Sequence, residues 1–253
     1  MERTVSAADA TLTAPEAGVP LLDGMPRQRT ASPPCAPSPA PSSGPRPWLL
    51  LPTPTGTPFT FGYSAVLVLT SLFAEYADPS LVSALYQASS TDVAHLMQSP
   101  ALVLLASALW ISGGVTSSFA LVFLLALTAL ERRIGGARTA VVFLLGHTLA
   151  TLATEIPVGV LVLAGELPHS SLHRLDYGIS FGVAASVGAL TGLLRPWLRW
   201  MVLIVSSAVL LQDLIEFVDP MSDWGHLLSL AIGVGMWPLV RRWQRTGPRP
   251  SSG

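Results

Sequence analysis

Two apolar segments of this chain open alike: "DYGISFG", Asp176 to Gly182, and "DWGHLLS", Asp223 to Ser229. Each presents an Asp, a Gly and then one side chain capable of chemistry, Ser180 in the first and His226 in the second. A serine hydroxyl is a weak nucleophile alone. A neutral imidazole beside it can take its proton during attack on a peptide carbonyl and return that proton to the leaving amine. Ser180 follows its Asp by four residues and His226 by three. If helices start at those aspartates, both side chains lie roughly 5–6 Å below the helix starts, within reach of water.

The elements that must position the pair are apolar helices. Of 253 residues, 50% are hydrophobic and 11% charged, against about a quarter charged in soluble proteins. Apolar runs long enough to cross a bilayer fall near 59–76, 115–131, 139–164, 177–194, 198–217 and 225–240. They predict an all-α membrane protein, a six-transmembrane-helix bundle over residues 58–243. Pro/Ala/Ser-rich residues 1–57 and residues 244–253 are expected to be disordered tails. The run Ala101–Gly114 is short for a span and reads as an interfacial or re-entrant element rather than a seventh crossing.

All 14 basic residues are arginine. Thirteen of them fall before the first span, between the second and third, between the fourth and fifth, and after the sixth; Arg174 alone lies between the third and fourth. The alternation predicts a multi-pass plasma-membrane protein with both termini cytoplasmic. A net charge of −1 gives no reason to expect nucleic acid as a partner; the bilayer and membrane-embedded substrates or clients are the expected ones. Cys35 is the single cysteine, which excludes an intrachain disulfide and a Cys-based metal site, and no cofactor or metal is expected.

Small residues decide which helices meet. Gly178, Gly182, Ala185 and Ala189 form one stripe of the fourth span; Ser180, Ala184, Gly188 and Thr191 form another. Small faces let backbones approach closely in lipid, so this span should be central. On the sixth span His226, Ser229 and Gly233 share a face, and close packing of the two would bring His226 beside Ser180. A purely structural reading also stands, since serines commonly hold membrane helices together. Ser186, in "AASVGAL", is a rival nucleophile two turns further in. His147 and Glu155 share a face of the third span and form a candidate intramembrane polar pair, serving either helix packing or a proton path. His169 and His173 sit in a polar loop where solvation explains them.

These residues resemble the rhomboid intramembrane serine proteases, which carry a nucleophilic serine in GxSG on their fourth helix and a histidine in HxxGxxxG on the sixth. The chain has "GISF" around Ser180 and "HLLSLAIG" from His226 to Gly233, and "LERRIGGAR" is similar to the Glu–Arg–Gly turn closing the second helix of that family. The likeness runs from about Ser99 to Val240 and is greatest to the divergent rhomboid-like membrane proteins of actinobacteria. It implies Ser180 as nucleophile and His226 as base, with Gly178, Phe181, Ser229 and Gly233 in supporting motif positions. Phe181 and Ser229 replace glycines of the pattern. Val115 and Phe119 stand where active members have HxxxN, whose side chains stabilise the oxyanion; losing one such donor costs about 10²–10³ in rate. Two functions therefore compete: a protease that cleaves membrane-embedded substrates with a Ser180/His226 dyad, and a non-catalytic relative that binds membrane clients. A small transporter or channel using His147 and Glu155 is the third.

Overall fold

Proline and short polar caps set most of the helix starts. In the computed structural model, which describes residues 51–217 and 219–246, α1 (Pro58–Tyr76) is followed by three short helices, α2 (Pro79–Ala88), α3 (Val93–Gln98) and α4 (Pro100–Ser107). Then come α5 (Ser118–Ile134), α6 (Gly136–Leu163), a 3-10 turn (His169–His173), α7 (Ser180–Thr191), α8 (Pro196–Glu216), α9 (Pro220–Gly235) and α10 (Trp237–Thr246). The described residues contain no strand. Prolines open α1, α2, α4, α8 and α9, where a missing N–H costs nothing. Asp78, Asp92, Ser117 and Asp219 cap α2, α3, α5 and α9 by accepting a backbone N–H of the first turn.

Six of these helices fall on the six expected segments, with shifted ends. Three of them, α1, α6 and α8, are long and apolar enough to cross a membrane. The others have 17, 12 and 16 residues. The sixth segment starts at Pro220, not near 225, because Asp219 caps the helix before Asp223 is reached. The fourth starts at Ser180, not 177, because Gly178 takes a positive φ of 122° that no helix accommodates. The two reactive side chains therefore do not share one offset from their helix starts. Ser180 is the first residue of α7; His226 is the seventh of α9.

Two boundaries also move. The Thr53–Thr57 turn, assigned by composition to the tail, is closed by Thr57 N–H to Thr53 O at 2.9 Å, and Thr57 is buried. At the other end α10 continues to Thr246. Expectations for residues 1–50 and 247–253 fall outside the described residues. The Ala101–Gly114 run forms eight-residue α4 and then a turn, about 12 Å of helix against the roughly 30 Å of a hydrocarbon core.

The centre of the bundle is α7, buried from Phe181 to Ala189 and packed against α5, α6, α8 and α9. Glycines permit this. A methyl group at Gly188 would run into the Leu230 carbonyl, one at Gly233 into the Ala185 carbonyl, and one at Gly146 into the Ala185 side chain. The small stripes thus do what lipid cannot, replacing hydrophobic drive by close backbone contact. At the periphery, α8 has Leu210 as its one buried residue.

Charge separates along the bundle. Arg132, Arg133, Arg138, Arg195, Arg199, Arg241, Arg242 and Arg245 lie at one end, on the α5–α6 turn, the α7–α8 turn and α10, which pack together there. Among the described residues Glu131 is the carboxylate at that end, and it is engaged. It accepts from Phe59 N at 2.9 Å, Thr60 N at 2.7 Å and Thr60 Oγ1 at 2.7 Å, satisfying the orphan amides that begin α1.

Candidate functional site

Ser180 is delivered by a strap, residues 174–179, laid across the opposite end of the bundle. Gly178 N–H donates to Ser107 O and Ile179 N–H to Trp110 O, both at 3.1 Å, so the strap is pinned to the end of α4 and the turn after it. Its other side is clasped by the α2–α3 turn. Thr91 N–H donates to Asp176 O at 2.7 Å, Asp176 N–H to Ser90 Oγ at 3.0 Å, and the Tyr86 and Tyr177 rings stack with centroids 4.3 Å apart. Burial pushes the Asp176 carboxyl above its usual range, against the pull of the Arg174 guanidinium.

Arg174 is the pin of this region. It donates to Glu155 Oε1 at 2.7 Å and Ser222 Oγ at 3.3 Å, and lies 3.4 Å from Asp219 Oδ1 and 3.7 Å from Asp176 Oδ2. One side chain thereby ties α6, the strap and the start of α9. His147 and Glu155, about 12 Å apart along α6, take separate partners: Glu155 Oε1 accepts from Arg174, and His147 Nε2 lies 3.0 Å from Ser107 Oγ. Ser186 is buried and donates back to Gly182 O at 2.7 Å within α7.

His226 sits on α9 where α7 and α5 converge. Its ring is flanked by Phe119, centroids 5.3 Å apart at 32°, and by Phe181, 5.3 Å at 75°. Neither ring nitrogen has a hydrogen-bond partner among the described residues, and neither does Ser229 Oγ one turn further on. Asp223 Oδ1 lies 3.9 Å from Nδ1, beyond hydrogen-bonding distance. Packing of α7 on α9 follows the expectation. The Ser180–His226 hydrogen bond of a resting dyad is absent.

Where the motif has glycine, Phe181 is buried with its ring against Gly225 and beside the imidazole. Of the two positions aligned with HxxxN, Val115 lies in the turn before α5 and Phe119 in its first turn, so neither side chain brings a donor.

Three features escaped the reading of the sequence: the Arg174 hub, the aromatic flanks of His226 and the Ser107–His147 contact. For the first there was a signal. Among the described residues Arg174 is the single arginine beside the acidic residues of its end.

A family model described as "Rhomboid-like protein" matches residues 55–246. No curated protein and no solved structure matches the chain. The match spans every described helix, from the start of α1 to the end of α10, and the chain belongs to the rhomboid-like family of membrane proteins.

Proposed function

We propose that this protein is a non-catalytic rhomboid-like membrane protein that binds transmembrane segments of other proteins. The observation that carries the reading is His226 held between Phe119 and Phe181 with no hydrogen-bond partner among the described residues. A general base must reach the proton it abstracts, and an oxyanion needs donors aimed at it. Phe181 packs on the imidazole where the motif has glycine, and Val115 and Phe119 carry no donor.

The face for a client lies between α8 and α9, a groove of about 670 Å³ lined by residues including Ser207, Ala208, Leu227 and Ala231. Small side chains there admit a helix backbone closely, and α8, with Leu210 its one fully buried residue, has little packing to lose if it shifts. In this reading all six helices form the membrane bundle, it sits in the plasma membrane, and the arginine-rich end is cytoplasmic.

The deciding experiment has two arms. A serine-directed phosphonate should fail to label the detergent-purified protein, whereas a photo-crosslinking residue at Ala231 should capture a membrane-spanning helix in cells. Labelling lost in Ser180→Ala and in His226→Ala but kept in Ser186→Ala would establish the protease instead.

A further inference from the structure

The arginine-rich end of the bundle holds positive charge that no carboxylate among the described residues pairs with. None of its eight arginines has a carboxylate partner within 4.0 Å among the described residues, and the one carboxylate there, Glu131, is consumed by α1. Two of the guanidinium groups are forced together. Arg199 donates from Nε to Thr191 O at 3.0 Å and from Nη2 to Leu194 O at 3.1 Å, and Arg241 donates from Nε to Gly192 O at 3.0 Å. Arg199 Nη2 also lies 3.5 Å from that same Gly192 oxygen, so the two donating nitrogens are within about 6.5 Å of each other. Both guanidinium carbons stand over the Trp237 ring, at 5.1 and 5.0 Å from its centroid.

The carbonyls at the end of α7 answer this charge only in part, since a helix C-terminus carries about half a negative charge against two full positive ones. Cations held this close call for an anion from outside. We infer that the Arg199–Arg241–Trp237 cluster and the exposed arginines around it bind the headgroups of anionic phospholipids. Lipid is the source that fits, because Trp197 and Trp200 are 66% and 58% exposed on the first turns of α8 beside the cluster. Exposed tryptophans settle at the headgroup level of a bilayer, which places the guanidiniums in the plane of the phosphates. The inference rests on membrane embedding and does not need a client or an activity.

The test uses the full chain in a neutral detergent, titrated with phosphatidylglycerol or with phosphatidylcholine of the same acyl chains, and bound lipid counted by native mass spectrometry. Phosphatidylglycerol should be preferred by at least about tenfold, since each arginine near an anionic surface contributes about fivefold. The preference should shrink as salt is raised. The combined variant Arg195→Gln, Arg242→Gln, Arg245→Gln, whose side chains make no intramolecular bonds among the described residues, should lose most of it; Arg241→Lys, which keeps the charge, should retain it. If the combined variant melts early without lipid, Arg242→Gln alone provides the comparison. Equal binding of the two lipids, or inorganic phosphate displacing phosphatidylglycerol at equal concentration, would overturn the inference.

Discussion

The rings of Phe181 and His226 meet in a T-shaped contact, with centroids 5.3 Å apart and planes at 75°. A phenyl ring offers the imidazole packing but no oxygen or nitrogen acceptor, and His226 is buried.

His226 should therefore be dispensable for stability. Exchanging an unpaired buried imidazole for an apolar ring removes a desolvation cost of about 1–3 kcal/mol. His226→Phe is expected to raise the melting temperature in detergent, or leave it unchanged. A marked fall would reveal a polar partner for the ring.

The α7–α9 contact should be intolerant of a single methyl group. Gly233→Ala drives a Cβ into the Ala185 carbonyl, so the helices must separate, at a cost of about 3 kcal/mol or more as overpacking of a tight core. Gly235→Ala, where a Cβ meets nothing within 4 Å, is the control and should be neutral or slightly stabilising. Equal melting of the two variants would show that the close approach is not maintained.

Removing Arg174 should be worse than removing the whole ion pair. Arg174→Leu leaves Glu155, 1% exposed, without its countercharge and should cost about 3–5 kcal/mol. Adding Glu155→Leu should recover much of that loss. Additive losses in the double variant would mean that the two side chains act independently.

At the opposite end, Glu131→Leu strips three acceptor contacts from the start of α1. Two backbone amides and a threonine hydroxyl are then orphaned, and about 2–4 kcal/mol should be lost. Hydrogen exchange confined to the first turn of α1 should accelerate. If protection there is unchanged, another group caps the helix.

Orientation can be read directly. A cysteine placed at Pro168, on the Arg174 side of the bundle, should react with an impermeant thiol reagent in intact cells, and one placed at Ala137, on the arginine-rich side, should not. The reverse pattern would invert the topology.

Composition, the spacing of small residues and the placement of arginines were enough to read an apolar helical chain, a central α7 and its contact with α9. Those properties are local or periodic: Gly188 and Gly233 declare a close approach whatever the loops do, and proline with a capping Asp or Ser starts a helix wherever it occurs. Contacts between distant side chains were not legible. That Arg174 would claim Glu155, leaving His147 to Ser107, depends on a strap folded back over the bundle end, and many strap conformations share its sequence. The relation of Ser180 to His226 was hidden for the same reason. Their spacings from Asp176 and Asp223 implied equal offsets from two helix starts, but Gly178 delayed one helix, Asp219 advanced the other, and Phe181 came to lie beside the imidazole. Which atoms touch across two helices is set by all the volumes that must fit between them, and only the folded chain adds those volumes together.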